Sequence, residues 1–98
     1  MTESQEVTRA LEAARVLDNE AYSEAMEALR TQITAQWKEC PIRDREGQML
    51  LLQLAKLTDK FEAILRGYVE AGKLAQHRID INAARNESTV RRWIRRAA

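Results

Sequence analysis

The sequence predicts an all-α fold, and three observations carry that reading. Leu50, Leu54, Leu57, Phe61, Ile64, Tyr68, Ala71 and Ala75 recur at alternating steps of four and three residues, which is one continuous helical stripe. Three glycines and one proline in 98 residues are too few for a turn-rich β architecture. Apolar residues make up 45% of the chain, but many are alanine and only five residues are aromatic, so the core should be thin and helical.

Each element follows in order. Val7, Ala10, Leu11, Ala14 and Leu17 mark a weakly amphipathic helix from about Glu3 to Leu17, marginal on its own. Asp18-Asn19 offers a cap or a short break. A second helix runs from about Glu20 to Glu39, with Tyr22, Ala25, Met26, Leu29, Ile33 and Trp37 facing one way. Pro41 ends it, because the residue before a proline is pushed out of the helical region.

The long helix is expected over Arg45 to Ala75, with Asp44 as N-cap and Glu46 in its first turn, where negative charge suits the helix dipole. The short connection Cys40–Asp44 predicts an antiparallel helical hairpin, with Trp37 near its tip against Met49, Leu50 or Ile42. The second arm is the longer one. Its C-terminal half must be covered by the N-terminal segment or by another subunit.

Gly67 and Gly72 weaken the last turns of the long helix. Gly72 reads either as a plain stop near Lys73 or as a place of close helix approach. After Ala75 the stripe's in-phase positions are Arg78, Asn82 and Arg85, and apolar residues resume out of phase at Ile79, Ala83, Val90 and Ile94. Such a phase jump predicts a kink, a break or a new helix. Asn86-Glu87-Ser88 is the expected break, with Ser88 capping a short basic C-terminal helix, Thr89 to Arg96. The expected organisation is a single helical domain: an N-terminal helix (1–18), a hairpin core (19–75) and a basic C-terminal segment (76–98).

The formal charge of +1 hides an uneven distribution. Met1 to Leu29 holds seven acids against Arg9 and Arg15, whereas Arg85 to Ala98 holds five arginines against Glu87 alone. An acidic front and a basic back suit contact between copies, docking of the two ends, or a basic grip on phosphates or an acidic partner. One cysteine, Cys40, allows no intramolecular disulfide and suits a reducing compartment. The acidic N-terminus lacks the pattern of a secretory signal, and the longest apolar run, Met49 to Leu52, is too short to span a bilayer. No membrane role is expected.

Catalytic combinations are scarce, so the sequence predicts no enzyme and no cofactor. His77 is the single histidine, which rules out a metal site with two imidazoles. A couple between Cys40 and His77 has no known nucleophile signature around it. The C-terminal segment is the sharpest local feature. Arg85, Arg91, Arg92, Trp93, Arg95 and Arg96 are its candidate contacts. One reading is an amphipathic docking helix, with Val90, Trp93 and Ile94 filling a groove. Another is half of a helix-turn-helix, its arginines reaching phosphates or guanine edges. Leu50, Leu54, Leu57, Phe61, Ile64 and Tyr68 are the candidate oligomerisation face. Leu51, Thr58 and Leu65 form a second partial line beside it, joined by Leu52 and Val69. That width suits contact with two neighbours in a bundle or ring of subunits, or else a monomeric three-helix bundle.

Ala35-Gln36-Trp37, Pro41, Arg43-Asp44-Arg45-Glu46-Gly47, Leu65-Arg66-Gly67 and Glu70-Ala71-Gly72-Lys73-Leu74-Ala75 together carry a resemblance. Over Tyr22 to Ala75 the chain resembles short helical proteins of tailed phages and prophages, encoded near head-morphogenesis genes. The resemblance implies a non-enzymatic virion or assembly component, acting in the host cytoplasm during assembly or inside the particle. It implies a head, a portal or another large protein as partner, with phage DNA as a second one. The C-terminal Trp93-Ile94-Arg95-Arg96 lies outside it.

Overall fold

The computed structural model describes residues 1–97 and consists of three helices, α1 (Glu3–Asp18), α2 (Glu20–Glu39) and α3 (Arg45–Ala97). No strand occurs among the described residues. With its 53 residues α3 sets the shape. A rise of about 1.5 Å per residue makes it roughly 80 Å long, and the molecule measures 83 × 26 × 16 Å.

The breaks between helices are local and chemically specified. Thr2 and Gln5 form a reciprocal capping box at the start of α1. Asn19, in an extended conformation, closes α1 and caps α2 by accepting the Tyr22 N–H at 3.0 Å. Cys40, ahead of Pro41, is also extended (φ −67°, ψ 126°) and ends α2. Asp44 Oδ1 accepts the Gly47 N–H at 2.9 Å, the cap expected for the long helix.

α1 and α2 lie end to end along α3, and both run antiparallel to it. On α2, Tyr22 lies 6.4 Å from Phe61 between ring centroids, Arg30 pairs with Glu62 and Asp59, and Trp37 lies beside Leu51 and Leu52. α1 covers the next stretch: Arg9 stacks 4.0 Å above the Tyr68 ring, and Ala10 and the Glu6 carbonyl meet Gly72. The N-terminal helix is therefore what covers the longer arm. Gly72 is a site of close approach and not a stop. A Cβ built there would meet Ala10 and come within 3.2 Å of the Glu6 carbonyl oxygen, so α1 can sit this close only over a glycine.

The break expected at Asn86-Glu87-Ser88 does not occur; α3 passes through it to Ala97. Two contacts span the spot, from Thr89 Oγ1 to the Arg85 carbonyl at 3.0 Å and from Arg91 to Glu87. Ser88 is therefore no cap, Thr89 to Arg96 is no separate helix, and the helix-turn-helix reading loses its turn. The phase jump disappears once the covered line is identified. The positions of α3 that face inward include Leu51, Ala55, Thr58, Glu62, Leu65, Val69 and Gly72, all buried or half-buried. Continued at the same steps of four and three, that line passes the exposed Gln76 and runs through Ile79, Ala83, Asn86, Val90 and Trp93. Ile79, Ala83 and Val90 continue the covered line, with Trp93, while Ile81 and Ile94 lie off both lines.

Candidate functional site

α3 has two apolar lines about 100° apart around its axis. One is covered by α1 and α2 from Leu51 to Gly72, the other only at its Tyr68–Ala75 end and where Phe61 meets Tyr22. The covered line mixes half-buried Leu51, Leu65 and Val69 with small side chains, and the small ones are the most deeply buried. Ala10, Ala13 and Ala75 are buried with Ile33, and Thr58 is buried with its hydroxyl donating to the Leu54 carbonyl at 2.8 Å. No large side chain is fully buried among the described residues. The other line, Leu50, Leu54, Leu57, Phe61 and Ile64, faces outward at 44–64% exposure. Tyr68, expected with them, is half-buried beneath Arg9, and Ala75 is completely buried where α1 crosses. Five of the six candidate oligomerisation residues thus form one open face, and the sixth is drawn into the α1 contact.

At roughly 100 Å² of exposed surface per side chain, five such residues present about 500 Å², near the top of what a typical monomer shows. Joining two such faces would bury about 1,000 Å², the threshold for a specific interface, before flanking residues are counted. Gly67 and Leu74 extend the open surface on its outer flank: Leu74 is exposed, and a Cβ at Gly67 would meet nothing. The sequence pattern missed both, because a glycine and a lone leucine carry no periodic signal. At the hairpin tip, Trp37, Ile42, Met49 and Leu52 line a shallow hollow, with Ile42 91% exposed.

The candidate contacts of the tail are all displayed. Arg85, Arg91, Arg92, Trp93, Arg95 and Arg96 are exposed on one continuous helix, and Trp93 is 70% exposed. From Asp80 to Arg96 every residue is exposed, an unsupported rod of roughly 25 Å. Arg91 is held by Glu87 one turn before it.

Electrostatics concentrate where the three helices meet. Glu62 accepts from Arg30 of α2 and from Arg66 one turn along α3, and these arginines hold its carboxyl below the usual carboxylate range. The same pairing raises the Arg30 guanidinium. Arg9 Nε and the Tyr22 hydroxyl are buried beside this junction without a hydrogen-bond partner. These charged contacts were not visible in the sequence, where their spacing matches that of solvated helix positions.

The Cys40 thiol is pushed up, first by burial and then by the Asp44 carboxylate, which makes it a poor nucleophile. Gly47, beside Cys40, and His77 are separated by 30 residues of one straight helix, roughly 45 Å. The two side chains cannot form a couple within one chain. No group of three metal-ligating side chains comes together among the described residues, and no described helix is long and apolar enough to cross a membrane. Comparison with protein-family models, with curated proteins and with solved structures finds no match to this chain.

Proposed function

We propose that this chain is a non-enzymatic assembly protein that pairs with copies of itself through the open line of α3 and docks on a larger partner through its C-terminal rod. One observation carries the reading. Five large apolar residues of α3 stand about half exposed in one line, while the buried positions among the described residues are, apart from Ile33, alanines, a glycine and a threonine. Water-exposed Leu50, Leu54, Leu57, Phe61 and Ile64 gain only when another surface covers them. The resemblance of Tyr22–Ala75 to phage head-region proteins supports an assembly partner such as a coat or portal. The exposed Val90, Trp93 and Ile94 supply the apolar anchors such docking requires. Light-scattering mass of the purified chain tests the pairing: a defined multiple of 11.3 kDa is expected, and a monomer at high concentration would end the proposal.

A second reading, a nucleic-acid-binding packaging component, is favoured by the tail's charge. Between Gln76 and Ala97 there are six arginines against Asp80 and Glu87. Phosphate binding of that kind weakens steeply with salt, whereas a Trp93-anchored protein contact weakens less.

A further inference from the structure

Every seventh residue from Leu50 onward, Leu50, Leu57, Ile64, Ala71, Arg78, Arg85 and Arg92, forms one line that winds by about 20° per heptad around α3. The line is apolar for its first four positions and basic for its last three, and α3 carries both parts on one unbroken helix. From this geometry we infer that two copies pair in parallel along the apolar part and grip a DNA duplex between the two basic rods. The inference rests on the self-pairing proposed above and adds an orientation and the chemistry of the partner.

Charge selects the orientation. Residues 1–39, which make the layer on one side of α3, hold eight acids against four bases. Antiparallel pairing along the open line would place both acidic layers on the same side of the seam, where they repel. Parallel pairing puts them on opposite sides, each next to the partner's outer flank, whose middle carries exposed Lys56 and Lys60 between Glu46 and Glu70.

Charge also selects what lies beyond the seam. In a parallel pair Arg78, Arg85 and Arg92 of the two copies would face one another across the continued line. Like charges at these positions cannot zip, so the two rods diverge unless a polyanion lies between them. Each rod from Arg78 onward is roughly 30 Å long, close to one turn of B-form DNA at about 34 Å. Asn82 and Thr89 fall between the arginines on the same face, and both are exposed. Val90 and Trp93 belong to the other line and stay free of the duplex. The arrangement is that of continuous basic helices forking from a dimer seam.

Sedimentation velocity of the full chain with a fluorescent duplex of about 24 base pairs, at two salt concentrations, tests the inference. One dimer should move with each duplex, and three phosphate contacts per rod should give log affinity a slope of about −5 against log salt. Arg85→Glu with Arg92→Glu should cut the affinity at least about tenfold while the dimer mass is unchanged. A dimer that leaves the duplex behind, or one displaced equally well by polyglutamate, overturns the grip but spares the self-pairing. A chain that stays monomeric overturns the self-pairing itself. Orientation has its own readout in a Cys40→Ser background. Leu50→Cys, on the open part of the line, should crosslink readily, whereas an antiparallel pair centred on Leu57 would hold the two introduced thiols roughly 21 Å apart and overturn the fork.

Discussion

The two apolar lines of α3 differ in what they are made of, and the difference separates folding from assembly. Against α1 and α2, the helix presents Ala55, Thr58, Gly72 and Ala75, side chains small enough for backbones to approach. On the open side it presents three leucines, a phenylalanine and an isoleucine. Burial stabilises in proportion to apolar area, so the inner contact gains little per residue and depends on closeness. The outer line is left about half exposed, with Phe61 against Tyr22 its aromatic contact to α2, so much of its potential gain is not realised within one chain.

The strongest way to break that contrast is to charge the outer line. Leu57→Asp with Ile64→Asp should raise the self-dissociation constant by at least about 100-fold, since two charges would be buried in the pair. Helix content should hardly change, because both side chains lie on the exposed side of α3. Circular dichroism with light scattering reads both. If the mass stays the same, the outer line is not the interface.

Truncation after Asn86 removes the end of the rod. The contacts of α1 with α3 centre on Tyr68 to Gly72, so thermal stability should be unaffected while binding to the larger partner is lost. Intact binding in a pull-down would move the docking site elsewhere on the molecule.

The two glycines of α3 sharpen the comparison at single-atom scale. Gly72→Ala forces a methyl into Ala10 and the Glu6 backbone and should cost about 1–3 kcal/mol. Gly67→Ala meets open space and should stabilise the free chain by up to about 1 kcal/mol through helix propensity alone. Opposite shifts in melting temperature are expected, and a neutral Gly72→Ala would contradict the close approach of α1.

Acid should have the smallest effect. Glu62 has its folded pKa lowered by Arg30 and Arg66, so its contribution is present above the ordinary carboxylate range near pH 4.5. That contribution is lost as pH falls from there through the lower folded value. Glu62→Gln should flatten this part of the stability–pH curve, read by thermal melts between pH 7 and the acid limit.

Much of the frame was legible in the sequence. Asn19, Pro41 and Asp44 act at short range through caps and backbone restrictions, so each helix start and stop up to Arg45 follows from a few neighbouring residues. The C-terminal part was misread because the strong line of large residues, Leu50 to Ala75, was taken as the reference phase. The phase that governs folding is the weaker line of small residues, and Val90 and Trp93 continue that one. Alanines and glycines give little periodic signal, although close packing makes them the natural inner contacts. Arg9 over Tyr68 and Arg30 on Glu62 were invisible for a related reason: which charged residue meets which ring or carboxylate depends on how the helices are placed.

The central claim is that the outer line of α3 is an unfinished interface, and solution mass tests it most directly. Sedimentation equilibrium of the full chain, over a range of concentrations, should give a defined oligomer that the Leu57→Asp, Ile64→Asp variant reduces to 11.3 kDa. A wild-type chain that remains at 11.3 kDa throughout would contradict the account.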